Sequence, residues 1–371
     1  MPTRAEVLLG PVPRDGRIIE IGPSYNPIAP KSDGWNSFVI DHLTRDGLVA
    51  KYAAHGNVDT NRIEAVDFVW TRGMLSDAVP LEQHGSFDAF IASHVVEHTP
   101  DFIAFLDAAA TLLKPSGVVI LAIPDKRFCF DYFQPLTTTG QLLEAHVDRR
   151  SRHTARQAFD HFAYSVRNGG SIAWAQQPTQ GIRFTHGMMD ASRLFRTYQI
   201  SSDYLDLHAW HFVPSSFELI LLELARLGAT DWRVERVTPT DGCEFFAWLR
   251  PGGGADAASL SVDDLDIRRM ALLKRTLLES QTQLEWLLVS EPELASAQTI
   301  LSKPVVPTMA LALATTLAAC QHQLAEVRSR LIAAEARCET ASQRIAALEA
   351  STSWRATAPL RAVRRFQRKE K

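Results

Sequence analysis

Ser93-His94-Val95-Val96-Glu97-His98 places a hydroxyl, two imidazoles and a carboxylate within six residues, directly after an apolar run. Imidazole is the usual proton acceptor near neutral pH. The spacing His94-x-x-Glu97-His98 also matches the zinc signature of an inverted metalloprotease. That chemistry needs both histidines on one helix face and a further carboxylate ligand. Thr99-Pro100 cuts the stretch before a helix can begin, because a proline disfavours helix at the residue before it and suits a helix start. Zinc is therefore not expected, and no metal is assigned. Two more acids close short apolar runs: Glu20 in Arg17-Ile18-Ile19-Glu20-Ile21-Gly22, and Asp41 in Ser37-Phe38-Val39-Ile40-Asp41. Asp67-Phe68 lies inside a third run, Ile63 to Trp70.

The elements that would position these residues alternate. Phe87 to Ala92 and Val118 to Ile123 read as a fourth and a fifth strand. Between them a helix of about four turns is predicted, stopping at Lys114-Pro115-Ser116-Gly117. Apolar runs of this length separated by helical segments indicate βαβ crossovers and a mainly parallel sheet buried on both faces. A helix is predicted from Pro214-Ser215-Ser216-Phe217 to Leu227-Gly228. Trp232 to Val237 and Glu244 to Leu249 then read as an antiparallel pair turned by Asp241-Gly242. In such a sheet, ligands collect at the carboxyl ends of the strands, where Glu20, Asp41 and the Ser93–His98 knot lie.

This order resembles the class I S-adenosylmethionine-dependent methyltransferase fold over roughly residues 15 to 250. Within that fold, SHVVEH, a helix, LKPSG and a strand closing on Pro124 resemble the methyltransferase type 11 group. The resemblance implies an α/β, Rossmann-like fold with an antiparallel last strand, and S-adenosyl-L-methionine as cofactor. The first strand-to-helix turn, Glu20-Ile21-Gly22-Pro23-Ser24-Tyr25-Asn26, would lie against the donor. There Gly22 admits the backbone to close approach, and Glu20 is expected to accept from the ammonium of the methionine part. Pro23, Ser24 and Asn26 stand where the family usually carries small residues. Asp41 is expected to accept the ribose hydroxyls, as an acid does in dinucleotide binders. Asp67 and Phe68 would border the adenine, and Ser93 and His94 complete the donor side. For a hydroxyl acceptor, His98, His186 and His211 are the candidate bases, with Asp125 as a carboxylate option. The segment 125–213 is far longer than an ordinary connection. Its mixture of Arg, His, Trp and Tyr suits a sugar or phosphorylated acceptor.

The 371 residues divide into a methyltransferase-like domain over 1–250, a linker over 251–258, a helical segment over 259–303, a coiled coil over 308–352 and a basic tail over 353–371. Hydrophobic content of 46% and charged content of 22% are those of a soluble globular protein. The formal net charge of −3 conceals seven Lys or Arg against one Glu from Arg355 to Lys371. Four dispersed cysteines without a CxxC pair fit a reducing compartment. With no signal-peptide pattern and no apolar run of spanning length, a cytoplasmic location is expected. Leu317, Leu324, Leu331, Cys338 and Ile345 recur every seven residues. Cys320, Val327, Ala334, Ala341 and Leu348 follow three residues behind, which specifies a coiled coil. Arg330 and Arg344 at g precede Glu335 and Glu349 at e, which suits parallel self-association. The tail from Ser351 to Arg361 resembles one found on bacterial surface-polysaccharide enzymes. It implies a glycan acceptor and polysaccharide-assembly partners. Trp354, Leu360, Val363 and Phe366 interleaved with arginine form a basic amphipathic end suited to the inner membrane face. No recognised fold or large basic domain supports nucleic-acid binding. The altered glycine turn leaves a second reading: a degenerate methyltransferase-fold scaffold in polysaccharide assembly.

Overall fold

The computed structural model describes residues 2–290 except 55, 57 and 177–180, together with 330, 334, 340 and 342–344. The chain divides into two units, Met1–Pro292 and Glu293–Lys371. In the second unit the described residues are helical. The coiled-coil seam expected over 308–352 lies outside the described residues except at Ala334, and the basic tail over 353–371 lies wholly outside them.

The first unit is built on a seven-stranded sheet. Five strands are mutually parallel: β1 (Ile18–Ile21), β2 (Ser37–Asp41), β3 (Phe68–Val69), β4 (Phe87–Ser93) and β5 (Leu113–Pro124). A short antiparallel ribbon, β6 (Val166–Asn168) and β7 (Ile182–Phe184), stands apart from the sheet. β8 (Trp232–Val237) and β9 (Glu244–Pro251) complete the order β3-β2-β1-β4-β5-β9-β8, with β9 antiparallel to both neighbours. This sheet fits the Rossmann-like methyltransferase fold expected from the sequence.

The strands are apolar throughout because side chains alternate between two buried faces. On one face Phe90, Ala92, Val119, Leu121 and Ile123 pack with α3 (Phe102–Leu112) and α7 (Pro214–Arg226). On the other, Ala89, Ile91, Val118, Ile120 and Trp248 pack with Leu8 and Leu9 of α1 (Arg4–Leu9). Asp101 caps α3 by accepting from Ala104 N at 2.9 Å, and Pro214 occupies the first turn of α7, where it loses no hydrogen bond. The crossover between β2 and β3 carries α2 (Arg45–Tyr52). The segment after β5 carries α4 (Thr139–Val147), α5 (Ala155–Tyr164) and α6 (Met188–Tyr198).

Two expectations need correction at the end of this unit. Pro251-Gly252-Gly253-Gly254 is not a free linker. Gly252 turns the chain at φ 96°, and α8 (Gly253–Ser259) follows directly. Gly253 lies so close to β8 that an added Cβ would stand 2.3 Å from the Trp232 carbonyl oxygen. Nor is the helix over 259–303 a separate segment. α9 (Val262–Ser290) packs on α7 through Arg269–Glu223 at 2.8 Å and through Glu279, whose Oε1 accepts from Ser215 Oγ at 2.8 Å. Close packing selected those glycines. Gly253→Ala is expected to destabilise the unit by about 1–3 kcal/mol, since overpacked sites relax by backbone shifts of that cost. Gly56→Ala, with open space around its Cβ, should leave the denaturant midpoint unchanged.

Candidate functional site

The pairing register puts three strand ends at one level. Ile21 pairs with Ile40 on one side and Ala92 on the other, so Gly22, Asp41 and Ser93 end β1, β2 and β4 side by side. The backbone is strained there. Gly22, Ser24 and His94 have φ of 59°, 47° and 54°, and left-handed geometry is uncommon for residues other than glycine. Pro23 and Ser24 are half-buried and Asn26 is exposed on the loop after β1. Ser24 Oγ lies 3.5 Å from the Tyr52 hydroxyl, and the Tyr25 ring stands edge-on to Tyr52.

Asp41 is buried, at 4% exposure. Its Oδ1 accepts from the His42 backbone N–H at 2.7 Å and lies 2.6 Å from His42 Nδ1. Its Oδ2 is buried without a hydrogen-bond partner. An orphaned buried carboxylate oxygen costs about 1–3 kcal/mol, which a hydroxyl-bearing ligand would recover.

Three expected donor-side residues are placed differently. Glu20 shares the parity of Ile18 and so points into the sheet face covered by α1. It is 1% exposed, and its two oxygens accept from Ile28 N at 2.6 Å and Ala29 N at 3.1 Å. It ties the loop after β1 to the sheet and does not face a ligand's ammonium. Asp67 precedes β3, and its Oδ2 is taken by Lys31 Nζ at 2.6 Å and Val39 N at 2.7 Å. Phe68 stacks on Phe38 at 6.3 Å and packs against the core. The carboxyl end of β3 is instead marked by Trp70, whose N–H donates to Asp41 O at 2.9 Å.

Ser93 and His94 do reach the level of the strand ends, held by residues that the sequence did not single out. Arg4 of α1 donates to Ser93 Oγ at 2.7 Å and to both Glu244 oxygens at 2.5 and 2.7 Å. His94 Nε2 lies 2.8 Å from Glu244 Oε2. Burial alone would raise the Glu244 pKa, but its hydrogen bonds from Arg4 and His94 hold it down to about 2.

Beyond β4 the chain turns through 96–98 and meets the segment before α7. Glu97 is fully buried, and both its carboxylate oxygens lack a hydrogen-bond partner. Three imidazoles surround Glu97 Oε1: His94 Nδ1 and His208 Nε2 at 3.7 Å, and His98 Nε2 at 3.8 Å. The far nitrogen of each faces another carboxylate, that of His94 being Glu244. His98 Nδ1 lies 2.8 Å from Asp206, and His208 Nδ1 lies 2.5 Å from Asp131. Burial works to lower the His98 pKa, but the Asp206 and Glu97 carboxylates outweigh it and hold it above the usual histidine range. The backbone pins the two segments together, since Ala209 N donates to Glu97 O at 2.8 Å and Trp210 Nε1 to Thr99 O at 2.6 Å.

Of the three candidate bases, His98 therefore stands in this cluster. His211 borders it, buried, with Nε2 3.5 Å from Asp131 Oδ1. His186 stacks on Phe162 with centroids 4.5 Å apart. Asp125 is excluded as a base. It is fully buried, doubly paired with Arg127 at 2.9 and 2.6 Å, and accepts from Thr240 Oγ1 at 2.6 Å.

Residues 6–179 match the family model described as a methyltransferase domain. That stretch, just under half of the chain, is similar to methyltransferase domains. Over 41 residues, 11% of this chain, the sequence is 49% identical to the ubiquinone biosynthesis O-methyltransferase of Xanthomonas campestris pv. campestris. The match spans only 17% of that relative's length. Among solved structures, a putative zinc-dependent alcohol dehydrogenase from Rhodobacter sphaeroides is 12% identical at a TM-score of 0.36, covering 68% of this chain and 91% of that one. The CcbJ methyltransferase from Streptomyces caelestis is 11% identical at a TM-score of 0.34, covering 67% and 93%. The DhpI complex with SAH is 15% identical at 0.33, covering 67% and 83%. Superpositions this loose leave the fold to rest on the sheet topology itself. Among the described residues, no helix is long and apolar enough to cross a membrane.

The burial of Glu20 has a consequence in pH. Desolvation pushes its pKa up to about 7, against the two backbone hydrogen bonds that favour the charged form. The unfolded chain releases this proton near 4.3. Between the two values the folded state binds more protons, so stability falls as pH rises and levels off above 7. Glu20→Gln should remove that slope. Denaturant titrations at pH 5 and pH 8 should show the variant gaining on the native chain by roughly 3 kcal/mol over that interval.

Proposed function

We propose that the first unit is an S-adenosyl-L-methionine-dependent methyltransferase that methylates a sugar hydroxyl of a bacterial surface glycan or its precursor. The observation that carries the reading is Asp41, a buried acid at the end of β2 with one oxygen unpartnered, level with Gly22 and Ser93. The vicinal hydroxyls of a ribose supply the donors that this oxygen lacks. S-Adenosyl-L-methionine brings an activated methyl group. The oxygen–carbon bond forms as the carbon–sulfur bond breaks, and the electron pair returns to sulfur to leave the thioether.

The protein's part is to align donor and acceptor and to exclude water. The strained turn at Gly22–Ser24 and the Ser93–His94 strand end border the donor. The acceptor's proton is handled at the imidazole–carboxylate cluster around Glu97, where His98 and His208 stand. An oxygen acceptor agrees with the name of the Xanthomonas relative. Gln134, Gln141, Arg156, Asp160, Trp210 and His211 line a water-sized recess beside the cluster, and side chains of these types hydrogen-bond and stack on sugars. The heptads after residue 308 join copies through a parallel coiled coil. The basic tail serves contact with the inner membrane face or with polysaccharide-assembly partners.

Calorimetric titration of the full chain should show binding of S-adenosyl-L-methionine and of its demethylated product. Asp41→Asn, isosteric but uncharged, should weaken both by roughly ten- to a hundredfold, the worth of a hydrogen bond to a charged group. Its circular dichroism should stay unchanged. A folded native chain that binds neither ligand would leave the degenerate scaffold as the better reading. Deleting residues 305–371 should convert an oligomer to a monomer in light scattering while the donor still binds. An unchanged mass would remove the coiled-coil assignment.

A further inference from the structure

Glu97, His98 and His208 bring one carboxylate oxygen and two imidazole nitrogens within 4.8 Å of one another. The distances from Glu97 Oε1 to the two nitrogens, 3.7 and 3.8 Å, are too long for hydrogen bonds. They are close to the roughly 3.4 Å that separates two donors sharing a tetrahedral ion at about 2.1 Å. The proton inventory points the same way. His208 Nδ1 is hydrogen-bonded to Asp131 at 2.5 Å, which in the neutral tautomer puts its proton on the outer nitrogen, and His98 Nδ1 stands 2.8 Å from Asp206. The inner His208 nitrogen then carries a lone pair turned towards a carboxylate that has no donor of its own. Three ligand atoms of the types that bind metals converge on one point.

We infer that Glu97, His98 and His208 form a binding site for a divalent first-row transition ion, zinc in the first instance. Mixed imidazole and carboxylate donors suit that class. The outer carboxylates Asp131 and Asp206 supply the supporting shell that fixes ring orientation at such sites. The ligands come from two segments that backbone hydrogen bonds hold together, which keeps the cluster from collapsing when empty. His94 Nδ1 lies 3.7 Å from the same carboxylate oxygen, so the ion would stand beside the end of β4. Three protein ligands leave a coordination position for an exchangeable oxygen. A bound ion there would hold the oxygen of a hydroxyl-bearing acceptor and lower its pKa, releasing the proton to water. That last step rests on the methyl-transfer reading, whereas the metal site does not.

The test uses the full chain, stripped with a chelator and passed through metal-free buffer. Titration with Zn2+ followed by elemental analysis should give one tightly held ion per chain, and Co2+ should give the visible absorption of a site with nitrogen and oxygen ligands. Glu97→Gln and His208→Asn should each lose that ion. Asp206→Asn, at a largely exposed second-sphere position, should weaken zinc by ten- to a hundredfold with the fold intact. Zinc should also raise the melting temperature of the native chain and not of Glu97→Gln. A native chain that binds no ion, or variants that bind it as well as the native chain does, would overturn the inference. Donor binding measured in parallel keeps the two readings apart, since loss of zinc leaves the Asp41 side untouched.

Discussion

The parallel pairing of β1 with β2 and β4 is the constraint on which the other features depend. Strands buried on both faces have almost no place for a polar side chain along their length, so polar chemistry is displaced to their carboxyl ends. Because Ile21 pairs with both Ile40 and Ala92, those ends coincide. Gly22, Asp41 and Ser93 therefore form a row without any contact among their side chains. The strain at Ser24 and His94 is held at this same edge, where the strands leave the sheet and the chain must turn sharply. Glu20 shows the other side of the rule. A carboxylate inside the sheet is tolerated because two backbone N–H groups of the following loop satisfy it, and it becomes part of the scaffold.

How far the sequence could be read follows from how local each feature is. The limits of β2, β8 and α7, and the acid at the end of β2, depend on runs of a few residues and were legible. Asp67 was misread because its run is mostly not strand. β3 is two residues long, and the acid before it is drawn to Lys31 and Val39. The glycines at 252–254 looked like a hinge because glycine signals both freedom and close approach. Only the position of Trp232 decides which applies. The helix α9 shows a charged, amphipathic pattern in either case, and whether it docks depends on Glu218 and Glu223 waiting on α7.

The His94-x-x-Glu97-His98 motif was judged by a local rule that asks for a helix carrying both histidines. That helix is absent, and 96–98 form a single tight turn. The turn nonetheless presents Glu97 inward and His98 beside it. The remaining imidazole comes from His208, on a segment separated from the motif by four helices, the strand β5 and a β-ribbon. Arg4 and Glu244 are in the same position, joined across nearly the whole unit to hold Ser93 and His94. Pairings made by the return of the chain leave no periodic signal in sequence.

The buried acids differ in how completely their oxygens are partnered. Asp125 has Arg127 and Thr240 and Glu20 has two backbone donors, so each is compensated where it lies. Burial of these groups costs little beyond the desolvation that their partners offset. Asp41 keeps one unpartnered oxygen and Glu97 keeps two. Neither sits in a loosely packed region that could relax to satisfy it, since Asp41 is fixed by the β2 ladder and Glu97 by backbone bonds to residues 209 and 210. The unpartnered oxygens at these two acids retain a cost of a few kcal/mol. On the readings proposed above, hydroxyl donors at Asp41 and a cation at Glu97 would remove that cost by different chemistry.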